Sequence, residues 1–128
     1  MSLQSDLIQA VIALATPAGS RVYDELVPAG VALPFIACSV LTQTQELTLS
    51  ATGLFKRATV RVAVFSRTAL ERDGICNTLR TTYHGFKGAI GNTVVSSIRV
   101  EDSSDDVELS DGDSIIKGKG LDLFTVYY

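Results

Sequence analysis

Side chains that commonly carry catalysis are few in this sequence of 128 residues. It holds one histidine, His84, and two cysteines, Cys38 and Cys76. A single histidine excludes a metal site built from several histidines, and a Cys-His or Ser-His catalytic pair would have to use His84 itself. Neither cysteine has a histidine or a basic residue beside it in the sequence to activate its thiol. We interpret both cysteines as reduced core residues, and we expect no catalytic residue, no metal site, no cofactor and no enzymatic activity.

His84 follows a predicted helix and stands between Tyr83 and Gly85. A partly exposed residue at the end of a helix is a common structural feature. The charged form of this histidine would be favoured by the carboxyl end of the helix dipole. We therefore expect a structural role for His84.

Two further patterns could bind ligands. Asp111-Gly112-Asp113 lies in an acidic stretch that could hold a divalent ion weakly, although the ligand order and the terminal Glu of an EF-hand are absent. Gly85, Gly88 and Gly91 do not follow a strand and open a helix, as the glycines of a phosphate-binding loop would. We interpret these glycines as turn residues.

Charge is unevenly distributed along the chain. Half of the 14 acidic residues lie between Glu101 and Asp113, a stretch without Lys or Arg, and the rest of the chain has an excess of positive charge. Two oppositely charged surfaces suggest ordered contact with an asymmetric partner such as a second copy, although a solvated acidic loop is the alternative. The basic residues cluster around one predicted strand and the helix after it: Lys56, Arg57, Arg61, Arg67 and Arg72. Few aromatic residues interleave with this cluster, so it gives little support to single-stranded nucleic acid binding.

The hydrophobic pattern predicts the elements that position these residues. Leu3, Leu7 and Leu14 follow helical spacing in a helix over residues 2–15, which is stopped by Thr16-Pro17-Ala18-Gly19. Strands are predicted for Val22-Tyr23 and residues 35–42, with a loop from Gln43 to Leu54. A strand with clear alternation follows over residues 55–66.

The second half of the chain continues with a helix and two strands. Thr68-Ala69-Leu70-Glu71 forms a capping box for a helix that ends near Tyr83, with Ile75, Cys76, Leu79 and Tyr83 on its buried side. Strands are predicted from Val94 to Glu101, with Val94, Ile98 and Val100 inward, and from about Ile115 to Tyr128. The fold class is therefore α+β: a mostly antiparallel sheet of about four to five strands, with two helices on one face, in the order α-β-β-β-α-β-β. We expect a single domain over residues 1–128. The longest unbroken apolar run, Ala10 to Ala15, is too short to span a membrane.

Two segments are candidates for contact with other proteins. The first combines polar residues with Leu47, Leu49, Leu54 and Phe55, which a free loop would expose to water. We predict that part of it packs on another subunit or on a partner protein; a long hairpin folding back on its own core is the alternative. The second is Arg57 and Arg61, which project from the same strand face and are predicted to meet acidic groups of a neighbouring subunit.

The order of these segments resembles that of the phage tail-terminator or tail-completion proteins, a family that includes relatives of the phage lambda tail terminator. The resemblance covers nearly the whole chain. It lies in an opening Met1-Ser2-Leu3 helix, Arg21-Val22-Tyr23, Ala32-Leu33-Pro34-Phe35-Ile36, the strand from Ala58 to Phe65, the helix ending in Leu79 and Tyr83, Gly88-Ala89-Ile90-Gly91, Ile98-Arg99-Val100-Glu101-Asp102, and a closing strand Leu121-Asp122-Leu123-Phe124-Thr125-Val126-Tyr127-Tyr128. The long acidic loop and Gly74 depart from the family pattern.

The resemblance implies a structural virion protein that forms a homo-oligomeric ring, commonly a hexamer. Such a ring terminates the tail tube and joins it to the head connector. Its partners would be further copies of itself, the tail tube protein and the connector protein, with DNA only in passage and no membrane. The protein would be assembled in the host cytoplasm and reside at the head–tail interface of the virion.

In a ring through which DNA passes, carboxylates would repel the phosphate backbone. We therefore predict that some of four acids face the channel or its rim: Asp102, Asp105, Asp106 and Glu108. A solvated outer loop and a docking surface for a basic patch of the connector are the alternatives. The alternative functions are a connector stopper or minor tail protein and, more distantly, a small cytoplasmic enzyme or ligand-binding domain.

Overall fold

Two helices and seven strands make up the part of the chain that the computed structural model describes. The described residues are 3–14, 16, 18–19, 21–24, 33–47, 54–91, 93–102, 107–111 and 114–127. In chain order the elements are α1 (Leu3–Ala13), β1 (Val22–Tyr23), β2 (Phe35–Leu47), β3 (Leu54–Ser66), α2 (Ala69–Tyr83), β4 (Gly88–Ile90), β5 (Thr93–Asp102), β6 (Val107–Asp111) and β7 (Ser114–Tyr127).

All seven strands form one sheet, and β3 and β7 lie at its centre. Six strands follow the order β1-β2-β3-β7-β5-β4, and β6 pairs with β7 beside this path. β1 and β2 are parallel, whereas every other pair is antiparallel. The predicted α+β class with two helices is confirmed. The predicted number of strands, four to five, is too low, and the predicted order α-β-β-β-α-β-β lacks two strands. The strands that were not predicted are β4 and β6.

Alternation along the central strands separates the two faces of the sheet. Val60, Val62 and Val64 of β3 are buried, and Val62 lies opposite Cys38 on one side and Leu121 on the other. Both helices contribute to the same hydrophobic core, α1 through Leu3, Leu7 and Val11, and α2 through Ile75, Cys76, Leu79 and Tyr83. Burial of each large apolar side chain stabilises such a core by about 1.5–3 kcal/mol.

The start of α2 is capped by two hydroxyl groups. Thr68 Oγ1 accepts a hydrogen bond from the Glu71 backbone N–H at 3.2 Å, as a capping box requires. The Glu71 carboxylate instead accepts from the Ser66 hydroxyl at 2.6 Å, and that hydroxyl accepts from the Thr68 N–H at 3.4 Å. Ser66 therefore bridges the two halves of the predicted capping box and ties the helix to the end of β3.

A β-bulge in β5 reverses one of the predicted orientations. The register of β5 on β7 shifts between Val95 and Ser97, and Val95 is 1% exposed whereas Val94 is 53% exposed. An extra residue in one strand moves all earlier side chains to the opposite face. The prediction that Val94 points inward is therefore wrong, while Ile98 and Val100, which follow the bulge, are buried as predicted.

Three segments predicted as loops or turns contain strand. β2 continues to Leu47 and pairs with β3 up to Leu47 opposite Leu54, so most of the predicted loop belongs to a long hairpin. Within the acidic stretch, β6 pairs with β7. β4 begins at Gly88. Gly85 and Gly91 lie in turns with φ angles of 79° and 58°, as predicted, whereas Gly88, with a φ of 142°, is a strand residue and not the predicted turn residue.

A buried carboxylate ties α1 to the turn between β4 and β5. Asp6 is 2% exposed, and its Oδ2 accepts a hydrogen bond from Thr93 Oγ1 at 2.6 Å. Gly91 approaches so closely that a Cβ there would lie 2.7 Å from Asp6 Oδ1, an atom without a hydrogen-bond partner among the described residues. Only glycine fits this position, because of both the contact and the positive φ.

Candidate assembly surface

The sheet face that points away from both helices is the candidate surface, here named the open face. It is formed by alternate residues of β2, β3, β7 and β5, which are exposed or half-buried although their neighbours in sequence are buried. A two-layer fold with both helices on one side leaves such a face without cover from either helix. The open face carries Arg57 and Arg61, the two arginines predicted from the sequence to share a strand face. They lie four residues apart along β3.

A row of four charged residues crosses the open face. Arg61 Nε and Nη2 donate to the Asp122 carboxylate at 3.0 Å and 3.4 Å, and Glu101 lies directly opposite Asp122 on the next strand. Arg99 Nε lies 3.3 Å from Glu101 Oε1. Two like charges in adjacent strands are thus each paired with an arginine. The hydrogen bond to Asp122, together with its charge, raises the pKa of the Arg61 guanidinium above its ordinary value.

Arg61 therefore has an acidic partner within its own chain. From the sequence, Arg61 was predicted to meet acidic groups of a neighbouring subunit. Asp122 of the same chain was not predicted as its partner. The sequence does contain a signal for this partner, because Asp122 interrupts Leu121 and Leu123, which alternation places in the core. A contact of Arg61 with another subunit remains a prediction.

Beside this row lies a shallow depression of about 330 Å³ with an apolar floor and basic sides. The Arg99 guanidinium stacks over the Phe124 ring, 4.7 Å from its centre, which is the geometry of a cation–π contact. Arg57 and Thr59 of β3 line the depression together with Ser97 of β5. This combination of an aromatic ring, guanidinium groups and hydroxyls suits contact with a polypeptide that carries acidic or amide groups.

The other end of the open face carries a pair of stacked aromatic rings. Phe35 and Phe65 stack with ring centres 5.0 Å apart. Phe65 covers Gly118 of β7, where a Cβ would lie 2.8 Å from two ring carbons. Both rings are half-buried, so an apolar patch remains accessible next to the charged row.

One lateral edge of the sheet is closed by the turn that follows α2. The Gly85 N–H donates to the Ile98 carbonyl at 2.8 Å, and the Val100 N–H donates to His84 Nδ1 at 3.1 Å. His84 thus acts as an acceptor for the edge of β5.

The opposite edge, β2, is closed only at its start. The Ile36 N–H donates to the Arg21 carbonyl at 2.9 Å, and Gln4 Nε2 of α1 donates to the Cys38 carbonyl at 3.1 Å. Beyond Ala37, no strand among the described residues pairs with β2 on that side.

The acidic candidates occupy different places. Asp102, at the end of β5, forms an ion pair with Arg80 of α2, so it has a structural partner. Glu108 lies in β6 opposite Lys117 in the strand register. Asp105, Asp106 and Leu49 lie outside the described residues, and Leu47, Leu54 and Phe55 lie at the hairpin end of β2 and β3.

Burial holds both cysteines as thiols. Desolvation raises the pKa of Cys38 to about 12 and that of Cys76 to about 11. Within the described parts of the chain, no three His, Cys, Asp or Glu side chains come together as a metal site. Among the described helices, neither is long and apolar enough to cross a membrane.

Fold and surface define a two-layer α+β protein whose notable side chains form ion pairs and aromatic contacts on an open sheet face. No family model matches the sequence, and no curated protein matches it. Among solved structures, the chain is similar to a chain of the "Virion of native gene transfer agent (GTA) particle", with a TM-score of 0.58 and 13% identity. The match covers 99% of this chain and 96% of that chain. At this identity the likeness shows a shared fold.

Proposed function

We propose that the protein is a non-enzymatic structural component of a phage-like virion, and more specifically a tail terminator. In this function, copies of the chain form a ring, a hexamer as in the family that the sequence resembles, which ends the tail tube and joins it to the head connector. The observation that carries the proposal is the likeness in fold to a chain of a gene transfer agent virion over 99% of this chain. The order of the sequence segments adds the resemblance to tail terminators.

The open face supports a function in assembly. A ring built from one kind of subunit needs two different contact surfaces on each copy. The open face offers half-buried aromatic rings, Phe35, Phe65 and Phe124, beside the charged row of Arg61, Asp122, Glu101 and Arg99. Aromatic and arginine side chains are enriched in protein interfaces, and charged pairs at the rim select the partner and its orientation.

The proposal is tested by binding to isolated tail tubes of different lengths. A terminator binds only where a tube ends, so the amount of fluorescently labelled protein bound should follow the number of tubes and should not increase with their length. Electron microscopy should show a ring at one end. Binding along the tube wall would contradict the proposal, and binding to the connector without tubes would favour a stopper.

The acidic residues are a separate part of the proposal. Asp105 and Asp106 follow the end of β5 in the sequence, and we infer that they face the channel or its rim, where their carboxylates repel the phosphates of the passing DNA. The variant with Asp105→Asn and Asp106→Asn should form rings and particles but deliver DNA less efficiently. Asp102 is kept because it pairs with Arg80, and Glu108 is kept because it lies in β6. Normal DNA delivery by the variant would exclude the channel function.

A further inference from the structure

At the end of β2 beyond Ala37, a defined set of backbone groups has no strand partner among the described residues. In an antiparallel pair, the N–H and C=O groups of alternate residues point away from the partner strand. The Ile36 N–H bonds to Arg21 and the Cys38 carbonyl bonds to Gln4, and neither partner belongs to β3. The backbone groups of Ile36 and Cys38 therefore point away from β3. The register on β3, with its bulge after Val40, carries this alternation on to Gln43, Gln45 and Leu47.

The edge groups at the start of β2 and at the end of β5 have partners, in contrast to those at the end of β2. Ile98 and Val100 of β5 bind Gly85 and His84, and Cys38 binds Gln4. Proteins usually protect a long free edge with Lys, Pro or a covering segment. Residues 39–47 contain no Lys, Arg or Pro, and Glu46 is their single charged residue.

A second edge lies on the opposite side of the sheet. β6 pairs with β7 on one side, and no strand within the described chain pairs with its other side. In β7, the backbone groups of Lys117 and Ile115 point towards β3 and away from β6. Glu108 and Ser110 lie directly opposite these two residues, so their own backbone groups point to the outer side of β6.

We propose that β2 of one copy pairs with β6 of the next copy, so that the sheets of neighbouring subunits join into one. The proposal rests on the ring proposed above and names the contact that would build it. The five residues of β6 fit within the open part of β2, which runs over residues 39–47 and is nearly twice as long. The single charge of residues 39–47 is Glu46, but Lys56 and Arg57 lie in the neighbouring strand β3, directly opposite Gln45 and Thr44. A β6 strand paired with β2 would bring its Glu108 and Asp111 within two strands of these cations.

This contact is head-to-tail, because the two edges are different strands on opposite sides of one sheet. A heterologous contact of this kind closes into a ring when its rotation allows. Pairing of β2 with β2, in contrast, would give a two-fold dimer in which both β2 edges are used, so a third copy could not add through the same contact. Backbone hydrogen bonds provide the contact, as in other complexes that add a strand to an exposed sheet edge.

Proline at an outward position tests the contact with little disturbance of the subunit. The Gln45 N–H points away from β3, so Gln45→Pro removes no hydrogen bond of the hairpin but removes the donor that a new strand would use. Ser110→Pro does the same on β6. Each variant should remain folded by circular dichroism and should require at least about tenfold higher concentration to form rings. Gln45→Thr, which keeps the N–H, should assemble like the unmodified protein.

Mixing the two proline variants distinguishes the head-to-tail contact from its alternatives. Gln45→Pro retains β6 and Ser110→Pro retains β2, so native mass spectrometry of the mixture should show a heterodimer and no ring. Rings formed by Gln45→Pro at unchanged concentration would overturn the strand pairing while leaving the ring function intact. A homodimer of Ser110→Pro would overturn it in favour of β2–β2 pairing. An unmodified chain that stays monomeric, alone and with tail tubes, would instead overturn the proposed function itself.

Discussion

Gly74 lies in the middle of α2, and its replacement by alanine should stabilise the protein. The added Cβ would meet no heavy atom within 4 Å outside its own chain neighbours and the helix backbone. Glycine in a helix interior is about 1 kcal/mol less favourable than alanine, because it loses more backbone entropy on folding. Since no contact opposes the change, Gly74→Ala should raise the free energy of unfolding by about 1 kcal/mol.

Chemical denaturation measures this gain directly. For a chain of this size, 1 kcal/mol corresponds to a shift of the urea midpoint of roughly 0.5 M and of the melting temperature by roughly 4 °C. The measurement should follow circular dichroism at a protein concentration low enough for subunits to be separate, because association adds to apparent stability.

The matched control adds the same methyl group where the structure has no room for it. At Gly118 the new Cβ would lie 2.8 Å from two ring carbons of Phe65, which stacks on Phe35. Gly118→Ala should therefore lower the free energy of unfolding by about 1–3 kcal/mol, the usual cost of overpacking. A loss of stability in Gly74→Ala, or no loss in Gly118→Ala, would refute the reasoning.

Two further predictions concern a turn and the buried thiols. Gly91→Ala should destabilise the protein by about 2 kcal/mol or more, from strain at φ 58° and from contact with Asp6, whereas Gly19→Ala, at φ 57° with nothing within 4 Å, should cost only about 1 kcal/mol in urea unfolding. Stability should also fall as pH rises above about 8.5, where unfolded thiols ionise, because the folded pKa values of Cys38 and Cys76 are about 12 and about 11 and the unfolded state releases its protons first. The free energy of unfolding, obtained from urea denaturation between pH 7 and pH 10, should decrease by up to about 1.4 kcal/mol per pH unit for each thiol, and less steeply after Cys38→Ala with Cys76→Ala.

The parts of the fold that follow from local pattern could be predicted. Alternation along Val60, Val62 and Val64 identified the central strand and its buried face, and Thr68 marked the start of α2. The bulge in β5 could not be found in this way, because one extra residue changes no composition and Val94 and Val95 are the same amino acid. β6 was missed because its acidic residues have low strand propensity, and its pairing with β7 is a tertiary property.

The candidate surface was predicted in part and for a related reason. Arg57 and Arg61 were placed on one strand face from their spacing, which needs only the two-residue period of a strand. Their neighbours on that face, Asp122 and Arg99, come from strands distant in sequence, so their proximity depends on the strand order β3-β7-β5. The two-residue period of a strand shows which residues lie on the same face of that strand. The strand order of the sheet decides which residues of different strands lie side by side on that face.

The sheet pairs strands that are distant in sequence, so a subunit becomes able to assemble only late in its folding. During synthesis β2 and β3 emerge together and form a hairpin, but the other side of β3 stays unpaired until β7 has been made. α1 emerges earlier still, yet Asp6 is bonded to a residue 87 positions later. Folding that waits for such distant contacts is slow and completes late. Because β7 is the strand that β6 pairs with among the described residues, the edge that we propose for assembly forms only after β7 has been made, and a chain without β7 cannot enter a ring through it.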